Sequence, residues 1–205
     1  MSAFSHLRVS SEYSISQGLL TINQIVDNAS KKSIPSVALT DKSNMFGLVK
    51  FFDKCELAGI KPISGCSLNV IFDGDDDSHE LLCLAKTNNG HKNLMKIISS
   101  AHNNYSYSSP IIQFKDLTEL NNDIVVISGG KNSHIFEYLR RNNISDAENK
   151  IDQFTKYFKD DFVLEIQKTN REDELEFIKN ILPLSIKKGI PIVATNDVLF
   201  STQND

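Results

Sequence analysis

Two aspartates stand at the ends of apolar runs of strand length. Ser36-Val37-Ala38-Leu39-Thr40 leads into Asp41, and Pro191-Ile192-Val193-Ala194-Thr195 leads through Asn196 into Asp197. Ligands of α/β folds collect outside the carboxyl ends of parallel strands, so an acidic side chain there is placed for chemistry. The same position also suits a plainer role, capping the helix or turn that follows, and an ion pair is compatible with either. Arg8, Ser10, Glu12, Lys42, Ser67, Glu80, Glu165 and Leu199 converge on the same predicted strand ends.

The elements that must position these residues follow from periodicity. Thr21 opens a helical pattern with Ile22, Ile25, Val26 and Ala29 on one face, and a second pattern runs from Leu48 to about Ala58 and stops at Gly59. Ile60 to Ile63 and Leu68 to Phe72 read as two short strands, followed by a strand at Leu81 to Ala85. Asn88-Asn89-Gly90 reads as a break before the next helix, and Asn103 to Pro110 as a loop carrying Tyr105 and Tyr107. A short helix around Phe114 to Leu120, a strand at Asp123 to Ser128 with a Gly129-Gly130 exit, and helices at His134 to Arg141 and Asp146 to Phe158 come next. Then follow a strand at Phe162 to Ile166, a helix from about Glu172 to Lys188 that Pro183 should kink or divide, and a buried strand at Pro191 to Thr195. This alternation predicts one parallel α/β domain without linker or internal repeat. No helix follows the last strand before Asp205, which suggests a piece of a longer polypeptide.

Composition narrows the function classes. The 205 residues are 40% apolar and 23% charged, as expected of a globular domain, and no apolar run approaches the ~20 residues of a membrane span. Met1 to Leu7 has no signal-peptide pattern, so a cytoplasmic protein is expected. Cys55, Cys66 and Cys83 are too widely spaced for zinc or redox motifs and read as buried thiols. A net charge of −4 argues against the segment gripping nucleic acid by itself. The run Asp73-Gly74-Asp75-Asp76-Asp77 lacks the order of a calcium loop and reads as a solvated turn, His6 reads as a structural histidine, and Lys31-Lys32 and Arg140-Arg141 fit helix carboxyl ends.

Four longer runs carry a resemblance. They are His6-Leu7-Arg8-Val9-Ser10-Ser11-Glu12-Tyr13-Ser14, Ala38-Leu39-Thr40-Asp41-Lys42-Ser43-Asn44-Met45-Phe46-Gly47, Ala58-Gly59-Ile60-Lys61-Pro62-Ile63-Ser64-Gly65 and Val193-Ala194-Thr195-Asn196-Asp197-Val198. In order and spacing they resemble the amino-terminal PHP (polymerase and histidinol phosphatase) domain of bacterial DNA polymerase III alpha subunits. Leu84 to Leu94, Ile127 to Gly130 and Leu164 to Ile166 extend the resemblance over nearly the whole chain. It implies a distorted seven-stranded (β/α)7 barrel, here over residues 1–205 and truncated at its C-terminal end.

Metal-binding members of that family are expected to hold a trinuclear cluster on His-rich motifs, suited to phosphoester hydrolysis. This sequence departs from that pattern. Arg8 and Ser10 stand at the His-x-His pair, Gln17 at an acidic position, Lys42 at the His after Asp41, Ser67 and Glu80 at further ligand positions, and Leu199 at the late His; Asp41, Glu165 and Asp197 remain. The expectation is a vestigial, metal-free site in which Arg8 and Lys42 substitute for metals by pairing with Asp41 and Asp197. The resemblance further implies a non-catalytic part of a DNA-directed DNA polymerase, a nucleotidyltransferase acting in DNA replication. Its partners would be the remainder of the alpha subunit and the proofreading exonuclease (epsilon) subunit, with DNA met only through the rest of the assembly and Mg2+ needed only by the polymerase domain elsewhere. The competing expectation is a metal-dependent phosphoesterase or 3'-5' exonuclease with a reduced ligand set.

Overall fold

The computed structural model describes residues 4–15, 17–75, 77–103, 110–169 and 173–200. The predicted loop around Tyr105 and Tyr107, the start of the last helix at Glu172, and the final residues from Ser201 lie outside that description.

Helix α1 (Ile22–Lys31) begins where the sequence supplies both halves of a capping box. The Thr21 hydroxyl accepts from the Gln24 amide at 3.2 Å while Gln24 Oε1 accepts from the Thr21 amide at 2.8 Å. Ile22, Ile25, Val26 and Ala29 then bury one face against strand β1 (Ser36–Leu39) and helix α2 (Leu48–Leu57), with Val9, Leu39, Phe51 and Cys55 in the same core. Strand β2 is one continuous element, Lys61–Ile71, and not the two short strands expected. It forms a hairpin with β3 (Ser78–Ala85) and also pairs in parallel with the two-residue β4 (Ile112–Gln113).

Helix α3 (Asn88–Asn103) includes the Asn88-Asn89-Gly90 run that reads as a break. Gly90 is there because of space: a Cβ on it would lie 2.0 Å from the Asp123 carbonyl oxygen. Helix α4 (Phe114–Glu119), strand β5 (Ile124–Ile127), helices α5 (His134–Arg140) and α6 (Ile144–Phe158), strand β6 (Phe162–Gln167), helix α7 (Glu174–Lys188) and strand β7 (Ile192–Thr195) complete the order. Pro183 lies inside α7 without dividing it. Strand β7 is less covered than expected, with Ile192 and Val193 half-buried and Ala194 exposed.

Among the described residues, seven strands form one mixed sheet in the order β1-β2-β3-β5-β6-β7, with β4 beside β2. β3 runs antiparallel to both of its neighbours, which corrects the all-parallel reading; the remaining pairs are parallel. The two edges meet through the N-terminal segment. His6 bridges Val37 of β1 and Val9 bridges Val198 beyond β7, with the Ser10 amide donating to the Val198 carbonyl at 3.0 Å and the Thr40 amide to the Val9 carbonyl at 2.9 Å. The result is a distorted α/β barrel. One end of its interior is apolar, with Ala38, Leu82, Leu84 and Ile127 buried among Leu7, Ile63, Val125, Val163 and Val193. No helix among the described residues is long and apolar enough to cross a membrane.

Candidate functional site: a guanidinium among three carboxylates

Strand alternation decides what lies above that apolar layer. Successive side chains point to opposite faces, so Glu80 shares a face with Leu82 and Leu84, Glu165 and Gln167 share one with Val163, and Thr195 shares one with Val193. The interior therefore changes from hydrocarbon to carboxylate and amide within one strand step. Into this polar end the N-terminal segment delivers Arg8.

The Arg8 side chain is only 8% exposed, and it makes a two-pronged contact with the fully buried Glu165: Nε donates to Oε1 at 2.9 Å and Nη2 to Oε2 at 2.8 Å. Its Nη1 bonds Glu80, and Nε lies 3.5 Å from the Asp197 carboxylate, which is 27% exposed. A planar fork of donors suits a carboxylate in this way, and ion pairs of this geometry are stronger than neutral hydrogen bonds. Burial opposes the charge on Arg8, but Glu165 first, then Glu80 and Asp197, outweigh it and raise its pKa. Burial likewise pushes Glu80 up, and the Arg8 charge together with bonds from Arg8, Asn132 and Ser67 brings it below its ordinary value.

Neutral groups complete the cluster. Thr195 donates to Glu165 Oε1, the Glu165 amide donates to Ser128 Oγ at 2.9 Å, Asn132 donates to Glu80 Oε2 at 3.2 Å, and Gln167 lies 3.4 Å from Asp197 Oδ1. Lys131 stands 3.7 Å from Asp197 Oδ2. Lys131 and Asn132 reach the cluster because Gly129 turns tightly under β3 with φ 89°; a Cβ there would sit 1.8 Å from the Glu80 carbonyl oxygen.

Asp41 is held differently. It is buried, and its oxygens accept from the Ser11 amide at 2.7 Å, the Ser11 hydroxyl at 2.8 Å and the Ser14 hydroxyl at 2.7 Å. It thus pins the loop after the N-terminal segment. The expected pairing of Asp41 with Arg8 or Lys42 is corrected: these three neutral donors already surround it, and among the described residues no ion pair involves Lys42. Lys42 is half-buried, its amide donates to Ser14 Oγ at 3.0 Å, and it bridges Ser67.

Ser67 joins the two carboxylate centres, since its amide donates to the Asp41 carbonyl at 3.1 Å while its side chain helps hold Glu80 below its ordinary pKa. The other sequence-derived positions contribute backbone. Ser10 pairs with Val198, the Gln17 amide donates to Ser14, Gln17 is exposed, and the Leu199 carbonyl accepts from Leu19 at 2.9 Å. Sequence reasoning missed Ser11, Ser14, Ser128, Asn132, Gln167 and Thr195. The signals for them were the serine-rich loop after Val9, the Gly129-Gly130 turn and the Val193 to Val198 run that holds Thr195, and Gln167 had none.

This donor set does not fit a metal cluster. A guanidinium offers no lone pair, it spends its donors on the carboxylates a metal would need, and no histidine or cysteine takes part in these contacts.

Comparison with known proteins agrees with this architecture. The chain is 38% identical over 205 residues to the DNA polymerase III subunit alpha of Escherichia coli strain K12, covering 98% of this chain and 18% of that protein. It is 35% identical to the same subunit of Buchnera aphidicola from Acyrthosiphon pisum, with the same coverage, and 34% identical over 202 residues to that of Vibrio cholerae. The chain thus spans less than a fifth of the length of these relatives and corresponds to their N-terminal region. Two solved structures share the fold. A Bifidobacterium adolescentis protein provisionally described as a metal-dependent phosphoesterase superposes with a TM-score of 0.69 at 11% identity, covering 98% of this chain and 89% of its own. A Chromobacterium violaceum amidohydrolase does so with a TM-score of 0.66 at 12% identity, covering 96% and 88%. The PHP domain family matches residues 6–169, and with the polymerase relatives spanning nearly every residue, this chain belongs to the PHP domain family.

Proposed function

We propose that this chain is the PHP portion of a replicative DNA polymerase III alpha subunit and that it supports the polymerase without catalysing a reaction of its own. The observation that carries this reading is Arg8, whose guanidinium pairs with Glu80, Glu165 and Asp197, the carboxylates that a water-activating metal would need. The ten positions from Arg8 to Leu199 are then the remains of a metal site, of which Arg8, Glu80, Glu165 and Asp197 have become an internal clamp. In this reading the domain packs against the remainder of the alpha subunit in the cytoplasm, docks the proofreading exonuclease subunit, and meets DNA only through the rest of the assembly. It requires no cofactor; Mg2+ belongs to the polymerase domain elsewhere in the longer polypeptide.

The test is hydrolysis. The protein supplied with Mn2+ and a phosphodiester or single-stranded oligonucleotide should release neither phosphate nor nucleotides above a no-protein control. Release that disappears in Glu165→Gln and in Asp41→Asn would instead establish a phosphoesterase with a reduced ligand set. The docking half is tested in the intact alpha subunit: deletion of residues 1–205 should abolish co-purification of the exonuclease subunit, and undiminished co-purification refutes it.

A further inference from the structure

A second cluster of ionisable groups lies on the opposite face of β3 from the Arg8 clamp. His79 precedes Glu80, and strand alternation sends the two side chains to opposite sides of the sheet. On that outer side the β2–β3 turn brings Asp75 in, so one residue of the expected solvated turn is directed to the protein, while helix α5 contributes His134 at its first position and Glu137 one turn later.

One ligand atom from each of Asp75, His79 and His134 lies within 4.8 Å of the other two. Asp75 Oδ2 is 3.3 Å from His134 Nε2, and Glu137 Oε2 is 3.9 Å from His79 Nδ1. The cluster is incomplete in its hydrogen bonding. Asp75 Oδ2 and His134 Nδ1 are both buried without a hydrogen-bond partner, and His134 is only 6% exposed. Buried polar atoms in folded proteins are nearly always satisfied, so the Asp75 oxygen, which faces His134 Nε2 without a hydrogen bond to it, and the orphaned His134 Nδ1 each call for a partner that the described residues do not supply. Lys150 is near, but its ammonium sits over the Phe72 ring, 4.0 Å from the centroid, and makes no ion pair with Asp75 among the described residues.

We propose that Asp75, His79 and His134, with Glu137 as a fourth donor, form a site for a divalent transition metal of the zinc type that ties the β2–β3 turn to α5. Two imidazoles with one or two carboxylates are the donor set of zinc and its neighbours, whereas magnesium and calcium favour oxygen alone. Burial favours neutral imidazole at both histidines, the form that ligates. The rings are stacked, with centroids 3.7 Å apart and planes 15° from parallel, so their in-plane lone pairs run side by side. Binding therefore turns one ring out of the stack and exchanges ring contact for coordination. The site is independent of the clamp and of the reading that the clamp is inert.

The test uses the whole protein stripped with EDTA and titrated with Zn2+ by calorimetry, with Co2+ as the spectroscopic probe. One equivalent of zinc should bind, cobalt should give visible bands of a low-coordinate nitrogen and oxygen site, and zinc should raise the thermal midpoint. His79→Gln and Asp75→Asn should each weaken binding by at least about tenfold and remove the thermal shift, while Asp197→Asn at the barrel mouth should leave both intact. Asp75 lies on a turn, so its variant keeps the fold even where the strand variant does not. Absence of zinc binding, binding undiminished by Asp75→Asn, or binding lost on Asp197→Asn would each overturn the proposal.

Discussion

Asp41 and Glu165 are both buried carboxylates at the polar end of one barrel, and they are stabilised by opposite means. Three neutral donors from the Ser11 to Ser14 loop surround Asp41, whereas Glu165 faces a full positive charge delivered from Arg8. A loop that accompanies the carboxylate can supply amides and hydroxyls at little desolvation cost. A guanidinium must itself be taken out of water, and it is tolerated here because Glu165, Glu80 and Asp197 together outweigh that penalty. Removing a neutral donor leaves a bond unmade; removing Arg8 leaves buried anions facing one another.

Arg8→Ala should therefore be the most damaging change, costing about 3–5 kcal/mol in urea unfolding because an uncompensated buried charge remains. Arg8→Lys should recover only part of the loss, since a point charge cannot bond both Glu165 oxygens at once. Asp41→Asn comes next, at roughly 1–3 kcal/mol, because an amide offers one acceptor where three donors converge; a loss equal to that of Arg8→Ala would erase the distinction between the two centres.

The pH dependence separates the centres further. Glu80 titrates below its ordinary value of 4.5 in the folded protein, so its stabilisation is complete above 4.5 and is lost as pH falls through the lower folded value. Stability measured against pH should fall below 4.5 in the wild type, and Glu80→Gln should make that fall shallower. Asp197→Asn should have the smallest effect, within about 1 kcal/mol and diminished by salt, because its carboxylate is partly exposed and 3.5 Å from Arg8.

Much of this was legible before the structure. Apolar periodicity and the stops at Gly59 and Gly189 located α1, α2, α6 and α7 to within a few residues, because helix faces and caps are local properties. The direction of β3 was not, since alternation is the same in parallel and antiparallel strands. Continuity of β2 was hidden by Ser64-Gly65-Cys66-Ser67, small residues that suggest a break, but here Ser64 pairs with Leu39 of β1 and the other three pair with Leu82 to Leu84 across the hairpin. At the site, the sequence placed Arg8, Glu80, Glu165 and Asp197 at the same strand ends, but it expected Arg8 and Lys42 to pair with Asp41 and Asp197; the bonds from Arg8 to Glu165 and Glu80, and the neutral donors around Asp41, depend on how the N-terminal segment and the serine-rich loop fold back. Asp75 and His134 are separated by a long stretch of chain with no shared motif, so only the folded barrel brings them near each other.

The segment that carries Arg8 also governs when the domain can become whole. Its bridges run to Val37 near the start and to Val198 near the end, so the polar end of the barrel stays unzipped on a nascent chain until the ribosome has passed β7. Closing the ring around Glu80 and Glu165 is therefore a contact between segments far apart in sequence, the kind a folding chain makes late.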